Sequence, residues 1–382
     1  MIKKEKGKGP GFLQRIGIVV LALALAVGIA ALTSMEDGRH LAALRRWLVY
    51  GETEATRDAY FYASDPNNLY GQLGTGFLVV GSNAVRLYQN AGEAVFEIAP
   101  LGMEDPQLSV GFRQAAVCSV GGDTLYIVDQ SGVRRTMHTE RGLCYYGARL
   151  NGSDYLAVTE QRNGYKGRVS VYNSEGELVF YFNSYEQYIT DAVVSEDCRR
   201  LVAVSLAEEA GAFASRLLVY DMETEELVSS RSIRDGLVYD IQSVGDRVFS
   251  LCDQRLTVTD LDGEVLLDRG FGNLYLHDYS LTGEDFCALL LGQYQAGNIC
   301  TLTTYGLEGE EIASLDLTEE VLDLSAAGKY LAVLYGDSLV IYDRELQEHG
   351  RLENTGYAGQ VRMEAAGTAL VISGTSAQRF MP

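Results

Sequence analysis

YLAVTEQRNGYKGRVSVYNSEGELVFYF, residues 155–182, reads as three strands in succession. An apolar run (Tyr155–Thr159) leads through a polar hairpin to a second run ending at Tyr172. An Asn and a glycine turn then open a third strand. The same unit returns as FLVVGSNAVRLYQNAGEAVFEI (77–98), RLVAVSLAEEAGAFASRLLVYDMETEELVSS (200–230) and KYLAVLYGDSLVIYDRELQEHGRL (329–352), with weaker copies between them. The equivalent strand ends are Tyr88, Val128, Tyr172, Tyr220, Thr259, Tyr305 and Tyr342, spaced 40, 44, 48, 39, 46 and 37 residues apart. In five units a glycine (92, 132, 176, 263, 309) follows four residues later, where the hairpin needs positive φ. A period near 40 with about four strands per unit predicts an all-β chain folded as a WD40-like β-propeller.

Beyond the seventh unit, QVRMEAAGTALVISGTSAQRF (360–380) supplies three more strands. Ala59-Tyr60-Phe61-Tyr62 is the expected missing strand, closing the ring and hiding sheet edges. Eight blades over residues 59–382 is therefore the reading taken, with seven as the alternative.

The N-terminus is different. IGIVVLALALAVGIAAL (16–32) is an uninterrupted apolar run that spans roughly 25 Å as a helix. Lys3, Lys4, Lys6 and Lys8 precede it, and Glu36 and Asp37 follow it. The positive-inside rule then puts residues 1–15 in the cytoplasm and the propeller outside, on a single-pass signal anchor in the cell membrane. A cleaved signal peptide is the rival reading, with Gly28-Ile29-Ala30 as its cleavage site. Residues 33–58 are expected to hold a short amphipathic helix and a linker, with Leu41, Leu44, Trp47 and Leu48 on one face.

The net charge is -21, and the first 15 residues contribute +4, which leaves -25 on the remainder. Such a surface repels phosphate backbones, so nucleic acid is excluded as a partner. Six cysteines (118, 144, 198, 252, 287, 300) show no metal-ligand spacing and mostly flank apolar runs, as small buried side chains do.

Residues 157–221, AVTEQRNGYKGRVSVYNSEGELVFYFNSYEQYITDAVVSEDCRRLVAVSLAEEAGAFASRLLVYD, resemble a bacterial family of membrane-anchored propellers, a domain of unknown function. The likeness runs more loosely from the anchor to residues 369–380. It implies a basic tail, one helix and an outer propeller, and it brings no catalytic residues. In VSEDCRRLVAV, Cys198 stands where the family's usual turn has a glycine.

No catalytic, metal or cofactor motif emerges. Sialidase-type turns and quinone docking motifs need tryptophans, and the sole one, Trp47, precedes the propeller. The four histidines have no ligand spacing; His277-Asp278 makes at most an unpartnered base–orienter pair. Asp260-Leu261-Asp262-Gly263-Glu264 resembles the start of a calcium loop but occupies an ordinary hairpin turn.

Hairpin length varies instead. Units three, four and six insert EQRNGYKGR, AEEAGAFASR and GQYQAGN. Equivalent hairpins open on one end of a propeller, so Tyr165, Phe213 and Tyr294 are expected on one rim, joined by Tyr185 and Tyr188. The plainer explanation is that each ring pins its own hairpin. The preferred function is a non-enzymatic scaffold binding a protein or an envelope component. A glycan-acting hydrolase or lyase and a ligand-sensing ectodomain are the alternatives. Convergent Asp, Glu, Arg or Tyr at the channel mouth would favour an enzyme, and a plug of small apolar residues the scaffold.

Overall fold

The computed structural model describes residues 46–49, 51, 54–89, 93–99, 101–209, 211–233 and 236–382. The expected anchor (16–32) and most of the amphipathic segment lie outside them. Among the described residues no helix is long and apolar enough to cross a membrane. Two units separate, Met1–Ala55 with Met381–Pro382, and Thr56–Phe380. In the first, residues 46–49 form a helical turn whose Trp47 carbonyl accepts the Gly51 N–H at 3.0 Å.

Among the described residues the second unit contains 32 strands, β1 to β32 in chain order, in eight four-stranded antiparallel sheets. Seven sheets are simple meanders of consecutive strands. The eighth joins β30 (Gln360–Met363), β31 (Ala369–Ile372) and β32 (Ser376–Phe380) to β1 (Thr56–Phe61). This is an eight-bladed propeller closed by its own first strand. That strand begins at Thr56, slightly ahead of the expected position, and Tyr60 pairs with Ala377.

The middle strands explain the apolar runs in the sequence. Gly76–Val80 (β3), Ala115–Ser119 (β7) and Phe286–Gly292 (β23) are buried at every residue. Each is covered on both faces by neighbouring blades, so its pattern is continuous rather than alternating. Each hydrophobic cluster accordingly draws on two adjacent blades, as where Phe286, Leu290 and Leu302 meet Leu331, Val333 and Val340. Four cysteines (118, 252, 287, 300) lie buried in these layers, and all six thiols are free. Burial pushes the Cys118 and Cys252 thiols up to about 12.

The hairpin glycines behave as expected at Gly132, Gly176, Gly263 and Gly309, all with φ between +79° and +128°. Blades four and seven lack that glycine. There Glu225 (φ 59°) and Leu346 (φ 57°) take the left-handed conformation instead. Cys198 does the same at φ 60°, a backbone that a glycine would adopt without strain.

At the closure, Tyr60, Tyr62, Tyr70, Phe77 and Tyr88 form one aromatic cluster, with Tyr70 stacked on Phe77 at 5.8 Å. The Tyr62 hydroxyl reaches the carbonyls of Ser373 (2.8 Å) and Ser376 (2.9 Å). Arg379 grips the buried Glu364 through Nη2 and Nε at 2.8–3.2 Å and leans over the Tyr60 ring.

Two stability measurements test this account. Arg379→Met strands a buried carboxylate and is expected to cost roughly 3–5 kcal/mol in denaturant unfolding, while adding Glu364→Met recovers much of the loss. Glu225→Gly relieves an exposed left-handed residue and is expected to raise stability by up to about 1 kcal/mol.

Candidate functional site

One edge strand of each sheet, the first in chain order in all but the eighth, faces the central channel. These inner strands are Leu69–Leu73 (β2), Pro106–Val110 (β6), Tyr145–Leu150 (β10), Tyr188–Val194 (β14), Val238–Val244 (β18), Tyr275–Ser280 (β22), Val321–Ala327 (β26) and β30. Five in succession, β10 to β26, slip register at one equivalent place. The extra residues are Tyr146, Thr190, Tyr239, His277 and Leu322. Such bulges re-aim side chains at barrel and propeller rims. The residue after each bulge is Gly147, Asp191, Asp240, Asp278 or Asp323.

Four aspartates thus converge on the channel. Arg149 lies two residues past Gly147 and bridges Asp191 (2.8 Å), Asp240 (2.6 Å) and the Ile241 carbonyl (3.0 Å), tying three blades together. Asp278 accepts the N–H of Tyr279 (2.8 Å) and that of Leu324 on the next blade (3.1 Å). Asp323 accepts the Val361 N–H (2.7 Å) and pairs with Arg362 (3.0 Å). Serines continue the stitching. Ser109, Ser280 and Ser325 accept the N–H groups of Leu150, Ala326 and Met363 at 2.9–3.0 Å.

Burial dominates the titration of Asp191, Asp278 and Asp323. It pushes Asp191 up to about 6, against the pull of Arg149 and with the push of Asp240. It pushes Asp278 to about 6 as well, with Asp323 adding its charge and the bonded N–H groups opposing. Asp323 is also raised by burial, opposed by Arg362. Burial and the neighbouring Asp240 carboxylate hold the Tyr279 hydroxyl above its ordinary value.

Arg149 divides the channel. At one mouth, Gln107, Tyr146, Thr190, Asp191, Tyr239, Asp240 and Tyr279 line a cavity of about 510 Å³. At the other, Gln72, Phe112, Asn151, Gln242 and Arg362 line one of about 660 Å³. The channel is therefore not plugged by small apolar residues.

Strands of a meander alternate in direction, so blade-to-blade connections and second-to-third-strand hairpins share the end of the Tyr146–Tyr239 mouth. All five residues expected on the rim are at that end. Tyr165 and Tyr185 hold each other, with ring centroids 4.4 Å apart and hydroxyls bonded at 3.0 Å. Lys166 lies 4.8 Å above the Tyr188 ring. The pinned-hairpin explanation fits Tyr165, which is half-buried. Phe213 and Tyr294 stand on separate blades, 68% and 67% exposed.

Two other sequence readings are resolved locally. His277 Nε2 donates to the Tyr294 carbonyl at 2.7 Å, while Asp278 serves the backbone, so the two are not joined as base and orienter. Asp260 accepts the N–H groups of Asp262 (3.0 Å) and Glu264 (2.8 Å), as Asn173 does for Glu175 and Glu177. Among the described residues no group of three or more His, Cys, Asp or Glu is arranged to hold a metal ion.

The aspartate ring escaped the sequence analysis. Its signal is a repeated aspartate in ITDAVV (189–194), VYDIQSV (238–244), LHDYS (276–280) and VLDLS (321–325).

Residues 50–355 match a family of unknown function (DUF5711). The chain belongs to that family. The match stops short of the eighth blade's β30 to β32. No curated protein matches this DUF5711 chain by sequence. Its fold is similar to the C-terminal WD40 domain of Sif2, at 13% identity and TM-score 0.57, covering 86% of this chain and 97% of that one. It is also similar to the dihydro-heme d1 dehydrogenase NirN in complex with DHE, at 14% identity and TM-score 0.51, covering 77% and 67%. The Cps50 (Swd1) propeller of Myceliophteria thermophila matches at 12% and 0.50, covering 85% and 98%. At such identities these likenesses carry architecture alone.

The raised carboxyls make a pH prediction. Asp278 titrates near 6 in the fold and near 3.9 unfolded, so its stabilising share is complete below about 4 and lost as pH rises through about 6. Asp278→Asn removes that slope. In urea unfolding, the variant should therefore gain on the parent between pH 4 and 7; a constant difference would contradict the assignment.

Proposed function

We propose that this propeller is a non-enzymatic interaction module, capturing a protein or cell-envelope component through the face of the long hairpins. An N-terminal signal anchor would hold it outside the cytoplasm. The observation that carries the binding role is the crowding of exposed rings on that face. Tyr185, Tyr188, Phe213, Tyr239, Tyr275 and Tyr294 are each 46–69% exposed. Aromatic side chains on a rigid scaffold supply contact area with little conformational entropy to lose, as binding hot spots do.

The acids and tyrosines at the mouth are the kind of convergence an enzyme would show, and their bonding supports the binding reading over that one. A glycan hydrolase works with two carboxylates open to substrate and water. Here all four channel carboxylates already serve blade-to-blade bonds.

Crosslinking in intact cells followed by mass spectrometry tests the proposal. A Tyr188→Ala/Phe213→Ala/Tyr294→Ala variant should lose at least about ten-fold of the captured partner, the scale of hot-spot truncation, at unchanged melting temperature. Phe112→Ala, at the opposite end and 72% exposed, should keep it. Undiminished capture by the triple variant would overturn the reading.

A further inference from the structure

The cavity of about 510 Å³ at the hairpin-side mouth lies within the size range of ligand pockets. Its walls are aromatic. Tyr146 and Tyr239 are bulge residues, and the Tyr279 ring meets Tyr239 edge-on at 5.8 Å. Its floor is anionic: Asp191 and Asp240 flank the single guanidinium of Arg149, leaving one negative charge in excess. The floor is also reachable, since each of these carboxylate side chains keeps 20% of its surface exposed.

We propose that this mouth seats a lysine or arginine side chain of a basic protein partner. The inference rests on reading this face as the binding face. It goes further by naming the chemistry that the face selects.

Three observations lead to a cation. Tyrosine faces attract ammonium and guanidinium groups through the ring quadrupole, most strongly where water is partly excluded. The rim already does this internally: Lys166 Nζ sits 4.8 Å from the Tyr188 ring centroid and 3.2 Å from its hydroxyl. Arg168 likewise lies 4.2 Å over Tyr181. The third observation is the net charge of -25 beyond residue 15, with only Lys166 and Lys329 as lysines past residue 8. That field steers a basic surface inward and repels an acidic one. The floor carboxylates have lone pairs beyond those used by Arg149 and the backbone, so an incoming donor is accepted without displacing Arg149.

The test is calorimetric titration of the full chain in detergent with tetra-arginine and tetra-lysine, against tetra-glutamate and a neutral N-acetylglucosamine tetramer. The basic peptides should bind. Tyr239→Ala and Asp240→Asn should each weaken them at least about ten-fold, as loss of a hot-spot contact does. Asp316→Asn, an equal charge loss on an exposed outer strand, should change affinity less than about two-fold. Equal weakening by Asp316→Asn would reduce the effect to diffuse charge and overturn the proposal. Binding of the sugar but not the peptides would overturn it too. If Asp240→Asn disturbs folding, Tyr239→Ala decides alone, because its ring is 47% exposed. Failure here, with the triple rim variant still losing its crosslinked partner, would sink the basic side chain and leave the interaction module standing.

Discussion

The innermost strand of a propeller blade has one edge that its own sheet cannot pair, and the N–H groups along that edge must find acceptors. This chain meets the demand with side chains from the preceding blade. Asp278 and Ser280 serve Leu324 and Ala326, and Asp323 and Ser325 serve Val361 and Met363. The aspartate and serine stand two residues apart, on one face of the strand, matching alternate N–H groups of the neighbour. Blades are thereby held in register as well as packed together. The same bonds occupy the channel acids: each carboxylate holds a backbone N–H or a guanidinium while burial raises Asp191, Asp278 and Asp323 above the usual carboxylate range.

Closure places a second demand on the ring. The eighth sheet takes β1 from one end of the propeller unit and three strands from the other, so it forms only when sequence-distant segments meet. Backbone pairing alone would leave a frayable edge. The aromatic cluster around Phe77 and the Tyr62 hydroxyl bonds fasten that edge to the first blade and to the turn before β32. Arg379 then makes the junction specific, because Glu364 is tolerable in the core only when paired.

The sequence shows the outer three strands of each blade plainly and the inner one poorly, for a physical reason. Strands buried on both faces, such as FCALLLG, write themselves as apolar runs. Inner strands are half-wetted by the channel and five of them are shifted by bulges, so YLHDYS or YYGARL has no clean period of two. The rim tyrosines were legible because hairpin length is a local property. The ring of acids was not, since Arg149 finds Asp240 some 91 residues away and neither carries a local mark of the other. Glycine turns were legible by composition. At Glu225, Leu346 and Cys198 the turn holds the left-handed conformation without a glycine, so composition gives no sign of it.

The eightfold repeat is broken on one arc. Bulged inner strands occur in blades three to seven and are missing from β2, β6 and β30. The long hairpins of blades three, four and six belong to the same arc, as do Tyr146, Tyr188, Tyr239 and Tyr275. A bulge adds no packing and leaves a residue unpaired, so five equivalent bulges are a cost that the ring's remaining blades do without. What they gain is direction: they turn tyrosines over the mouth and set the aspartates behind them. The asymmetry therefore has a structural return as well: where an aspartate follows the bulge it bonds to another blade, so the bulged arc is also the arc stitched by carboxylates.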